Sequence, residues 1–84
     1  MAHIARHTLE TLAQDVAVVL RSMGGSAHQN LVVDCVAAMK RQRGEAVTSD
    51  LRQKVIEVFE HYRDMFFRPF GEGSQRWALA DSFA

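Results

Sequence analysis

Residues 66–80 read Phe66-Phe67-Arg68-Pro69-Phe70, Gly71-Glu72-Gly73-Ser74, Gln75-Arg76-Trp77-Ala78-Leu79-Ala80. Two short runs that alternate between apolar and polar residues flank a glycine-rich turn, the signature of a β-hairpin. Pro69 has no amide donor, so residues 66–70 are expected as an edge or irregular strand. Trp77 and Leu79 share one strand face and are expected to pack inward, with Arg68 and Arg76 facing solvent near the turn. Everything upstream of this hairpin carries helical periodicity instead.

Helix 1 is expected over about residues 8–23. Leu9, Leu12, Val16, Val19, Leu20 and Met23 recur at helical spacing on one face. Thr8 is placed as its cap, and Gly24-Gly25 as its stop, because a helix end favours left-handed backbone. Its opposite face, Thr11, Gln14, Val18 and Ser22, is short of charge. Helix 2 is expected over about 27–43, opened by a capping box in which Ser26 and Gln29 satisfy each other's backbone amides. Val32, Cys35, Val36 and Met39 form its inward stripe, with Leu31 at the margin. Val33 and Ala37 fall outside the stripe. Lys40-Arg41-Gln42-Arg43 closes the helix, where cations also suit the helix dipole.

Helix 3 is expected over about 49–65, capped by Thr48 or Ser49. Leu51, Val55, Val58, Phe59, Tyr62 and Phe66 form a stripe over four turns, the strongest periodic signal in the chain. Fifteen or so residues make a helix of roughly 22 Å. The fold class is therefore mainly α with a C-terminal β-hairpin, an α+β arrangement in one domain spanning residues 1–84.

Composition bounds the function. Eighty-four residues bury only about 60% of their unfolded surface, and the apolar fraction of 48% suffices for one core. Ten basic and ten acidic residues give a formal net charge of zero, which argues against tight non-specific DNA binding but permits a local basic patch. Cys35 is the lone cysteine, so no internal disulfide can form, in keeping with a reducing cytoplasm. The N-terminus lacks the apolar run of a signal peptide. No apolar stretch approaches the roughly 20 residues of a membrane helix.

Three helices followed by a hairpin resemble the winged helix-turn-helix superfamily. Gly24-Gly25-Ser26-Ala27-His28 entering helix 2, with the late Arg76-Trp77-Ala78-Leu79 strand, is similar to small bacterial winged-helix modules such as the N-terminal domain of Mrr-type restriction proteins. Two departures stand out: helix 2 is long, and no strand is evident between helices 1 and 2. The resemblance implies that the third helix enters the DNA major groove and the wing meets neighbouring backbone. The double-stranded DNA footprint is then Ser49, Arg52, Gln53 and Lys54 on helix 3, Arg68 and Arg76 on the wing, and Lys40, Arg41 and Arg43 after helix 2. Gln pairs with adenine, and Arg with guanine or phosphate. The exposed side of helix 3 continues through Glu57, Glu60 and Asp64, which repel phosphate, so only N-terminal insertion is plausible. About five cations on phosphate would make binding strongly salt-dependent.

Each feature also has a plain structural reading. Arg and Lys near helix ends are commonly solvated surface, and the acidic side of helix 3 serves solubility. His3 and His7 sit four apart, as metal ligands sometimes do, but without further ligands in range. His28 is expected half-buried near the inward stripe. The aromatics Phe66, Phe67, Phe70 and Trp77 beside Arg68 and Arg76 combine as in single-strand stacking sites, although core packing explains them as well. No phosphate loop, metal spacing or nucleophile motif is present, so no catalytic residues and no cofactor are expected. Val18, Val33 and Ala37 are expected to cover a two-fold homodimer interface. The leading expectation is a dimeric transcriptional or accessory regulator that binds DNA. The alternative is a protein-interaction adaptor on the same fold.

Overall fold

A computed structural model describes residues 4–80. The elements run α1 (Ile4–Ser22), β1 (Ser26–His28), α2 (Gln29–Gln42), α3 (Leu51–His61), β2 (Phe66–Phe67) and β3 (Arg76–Leu79). The three strands form an antiparallel sheet in the order β1-β3-β2. Three helices and a small sheet ending in a hairpin make an α+β fold. No described helix is long and apolar enough to cross a membrane.

α1 begins before Thr8, so Thr8 lies inside the helix rather than capping it. At its far end the Gly25 amide donates to the Leu20 carbonyl at 2.8 Å, and the Gly25 carbonyl accepts from Leu79 at 2.8 Å. Gly24 and Gly25 have φ of 83° and 104°, a region open to glycine and strained for other residues. The glycine stop therefore also fixes where β3 docks.

The main revision lies just beyond. Ser26-Ala27-His28 is a strand, not a capping box, and pairs with β3 as Ser26↔Ala78, Ala27↔Trp77 and His28↔Arg76. α2 starts at Gln29. Its cap is His28, which is exposed and accepts from the Asn30 amide through Nδ1 at 3.1 Å. Strand pairing wins over the local motif because the extended backbone gains ladder hydrogen bonds, while the imidazole still satisfies a helix-start amide. Gln29 turns inward instead: it is buried, and its Oε1 accepts from the Trp77 indole at 3.4 Å.

α3 is shorter than its apolar stripe. It ends at His61, and Tyr62 leaves helical geometry at φ −105° and ψ 61°. Met65 and Phe66 both donate to the Tyr62 carbonyl, which turns the chain into β2. Phe66 continues the helical spacing by sequence but belongs to the sheet, paired with Leu79. Asp50 rather than Thr48 or Ser49 occupies the N-cap position of α3, and it is held by the Thr48 hydroxyl.

The core lies between the helices and the sheet. Val16 and Leu20 of α1, Val32 and Val36 of α2, Val55, Val58 and Phe59 of α3, Phe66 and Trp77 are fully buried. Phe59 organises the aromatic part. It stacks on Trp77 with centroids 4.5 Å apart and planes 2° apart, and meets Phe66 edge-on at 5.4 Å. Trp77 and Leu79 are buried as expected, and so is Ala78 between them, so burial along the central strand β3 does not alternate. Ala37, expected on an outer face, belongs to this core, and Val33 and Cys35 are half-buried against it. Ala37 follows Val36 by one residue, so the buried face of α2 is wider than a single stripe.

Candidate nucleic-acid interface

The nine residues expected at DNA fall into two groups. The first is tied up within the fold. Arg43 forms a bidentate pair with Asp15 of α1, with Nη1–Oδ1 at 3.0 Å and Nη2–Oδ2 at 2.7 Å. Its Nε also meets Glu45 at 2.8 Å, and Lys40 pairs with the same Glu45 at 3.3 Å. Asp15 is buried in α1, so this clasp locks the tail of α2 onto α1. Hydrogen bonds to Asp15, and then to Glu45, raise the Arg43 pKa beyond its already high ordinary value. Hydrogen bonds from Arg43, and then from Lys40, hold the Glu45 carboxyl below the usual range.

The hairpin arginines are also engaged, contrary to their expected solvent orientation. The Arg76 Nε donates to Ser26 Oγ at 3.1 Å and its Nη2 to the Ser26 carbonyl at 3.3 Å, stapling β3 to β1. Arg68 stands over the Trp77 ring at 4.6 Å and pairs with Glu60 at 3.3 Å. Its Nε is buried without a hydrogen-bond partner. Strand alternation shows which way a side chain leaves the backbone. It does not show that a long guanidinium folds back over an aromatic ring.

The second group is Arg41 at the end of α2 and Ser49, Arg52, Gln53 and Lys54 around the start of α3. All five are exposed. Arg41, Arg52 and Lys54 have no ion-pair partner among the described residues. Arg52 and Lys54 occupy the first turn and a half of α3, where the positive end of the helix dipole disfavours cations. Lys54 and Lys40 line one cleft of about 350 Å³ with Thr48, Asp50, Leu51 and Leu12, so the end of α2 and the start of α3 present their polar groups together. Glu57 and Glu60 are exposed further along α3, and Glu60 carries the Arg63 and Arg68 pairs. The cationic end of α3 and the arginine-bearing hairpin are thus separated along the helix by roughly 12 Å.

Among the described residues no group of three or more His, Cys, Asp or Glu side chains is arranged to hold a metal ion. His3 and the His7 side chain lie outside the described residues. Phe67 and Phe70 are exposed on the hairpin, Phe70 at 74%. Phe66 and Trp77 are core, which removes two of the four aromatics from any stacking platform.

No protein-family model, no curated protein and no solved structure matches the chain.

Proposed function

We propose that this chain is a cytoplasmic winged-helix regulator that binds double-stranded DNA as a dimer, acting by binding rather than by catalysis. Helix, strand, two helices and a hairpin in that order, with the first strand paired to the last, support the winged-helix reading. One observation carries the DNA reading. Arg52 and Lys54 are exposed, unpaired among the described residues and set against the dipole of α3, next to Gln53 and Ser49. Placing cations there costs helix stability, and an anion brought to the same turn offsets that cost.

The footprint is smaller than nine residues. Arg41, Ser49, Arg52, Gln53 and Lys54 make the contacts. Lys40, Arg43, Arg68 and Arg76 hold the scaffold. Three cations per protomer give a salt slope of about −2.7, so a fourfold rise in salt weakens each protomer's binding by roughly 40-fold.

Fluorescence polarisation with a duplex at two salt concentrations tests the proposal. Arg52→Ala/Lys54→Ala should flatten the per-protomer slope to about −0.9, while Arg76→Ala should affect folding more than slope. If the double variant binds like wild type, the assigned contacts are wrong. If no duplex binds at low salt, the adaptor reading replaces this one. That second reading has its own support in the exposed Phe67 and Phe70, which fit a protein partner.

A further inference from the structure

The cleft between α1, the end of α2 and the start of α3 has two kinds of lining. Leu9 and Leu12 of α1, Ala46 of the connection and Leu51 of α3 supply apolar surface, while Lys40, Thr48, Asp50 and Lys54 supply polar groups. Its volume of about 350 Å³ lies at the small end of the roughly 300–1,000 Å³ of small-molecule sites. Lys40 is already paired with Glu45 at 3.3 Å and contributes chiefly its apolar stem. Lys54 and Asp50 differ. Both are exposed, and Lys54 follows Asp50 by four positions, a spacing at which opposite charges near a helix surface can meet. Among the described residues no ion pair joins them or engages either one elsewhere. The Asp50 side chain caps no amide of α3, and its carboxylate accepts from the Thr48 hydroxyl. The rim therefore carries one uncompensated charge of each sign above an apolar lining.

We infer that this cleft binds a free apolar α-amino acid of leucine's size. Its carboxylate meets Lys54, its ammonium meets Asp50, and its side chain lies against Leu9, Leu12 and Leu51. The two rim charges select this class of ligand. A phosphate ester or a dicarboxylate would set further negative charge against Asp50, and an apolar amine would bring a cation up to Lys54. Like charges brought together in this way exclude the wrong ligand. A small zwitterion compensates both residues at once, and the Thr48 hydroxyl holds the Asp50 carboxylate in place for it. The binding site stands apart from the duplex footprint except at Lys54, which belongs to both. On the DNA reading, and resting on it, amino acid and duplex compete for that lysine, and each weakens the other by the same factor.

The test is isothermal titration of the full chain with L-leucine in the absence of DNA. Wild type should bind it. Three relatives of the ligand dissect the contacts on the unaltered protein: isocaproate lacks the ammonium, isoamylamine lacks the carboxylate, and glycine lacks the apolar body. Each should bind at least about fivefold more weakly than leucine. Asp50→Asn and Lys54→Gln should each weaken leucine by a similar factor, and thermal melts without ligand show that both variants fold. Duplex binding is then measured with and without saturating leucine. The amino acid should lower the per-protomer salt slope from about −2.7 to about −1.8, the loss of one cation. Asp50→Asn should still bind duplex, with a slope that leucine leaves unchanged. A wild type that takes up no leucine overturns the site. Isocaproate binding as tightly as leucine, or Asp50→Asn binding leucine like wild type, overturns the amino-acid assignment. Leucine bound as described by a chain that binds no duplex leaves the site standing and removes the DNA reading together with the competition.

Discussion

Phe59→Leu removes the ring that both Trp77 and Phe66 rest on. Phe59 is fully buried, stacks on Trp77 at 4.5 Å and meets Phe66 edge-on at 5.4 Å. Two aromatic contacts of about 0.5–1.5 kcal/mol each, together with a small cavity where Leu fills less space, give a loss of about 2–3 kcal/mol. A domain of this size holds only about 4–13 kcal/mol in all, so the change is large but leaves a folded protein to measure. Trp77 is the lone tryptophan, and its emission therefore reports on the very ring that loses its neighbour. In urea, with a slope near 1 kcal/mol per molar for a chain this short, the midpoint should fall by about 2 M. The folded-state emission should shift as well. Arg68→Met, which keeps the aliphatic stem but removes the charge over the indole, should cost less, about 0.5–1 kcal/mol. Because both residues touch Trp77, the double variant should depart from additivity. A midpoint moved by less than about 0.5 M with unchanged emission would refute the claim that Phe59 supports the aromatic core.

Two further outcomes are expected. Gly25→Ala should lower stability by about 1–3 kcal/mol: nothing lies within 4 Å of the added methyl, but φ is +104° and both backbone groups of Gly25 are bonded, to Leu20 and Leu79. Parallel melts of the variant and wild type check this, and equal midpoints would contradict it. The Glu45 carboxyl, held below its usual range by Arg43 and Lys40, should make the fold acid-sensitive. Its folded-state pKa lies under its unfolded one, so its stabilisation is complete above the ordinary glutamate pKa and fades as pH falls through the folded value. Glu45→Gln should therefore lose less melting temperature than wild type between neutral pH and about pH 3, and an equal loss would show that the clasp does not matter.

The helices were legible because burial follows period, with Leu12–Leu20 and Leu51–Phe59 repeating at helical spacing, and the hairpin because Trp77 and Leu79 share one strand face after a glycine-rich turn. It was misleading where a local pattern had two solutions. Ser26-x-x-Gln29 resembles a capping box, yet the same residues gain more by pairing with a strand that arrives much later. Phe66 keeps the helical register of Tyr62 by coincidence, and the chain has already turned. The candidate interface divides in the same way. Exposure of Arg52, Gln53 and Lys54 follows from the helix register, and so it was legible. The engagement of Arg43, Arg68 and Arg76 depends on Asp15, Glu60, Trp77 and Ser26, residues distant in sequence that only the fold brings near. The reach of long cationic side chains leaves no period to read.

The sheet order carries a consequence for how the molecule is made. β3 lies between β1 and β2, and β1 has no other strand partner among the described residues. Ser26 must wait for Arg76, fifty positions later, before their side chains can bond. Closing a loop of that length is slow compared with forming any of the three helices. On a ribosome, the helical part therefore emerges with its sheet-facing side uncovered and the Trp77 slot empty. A pause in synthesis before residue 76 would hold the chain in that sticky state, open to chaperones, proteases or another nascent copy of itself.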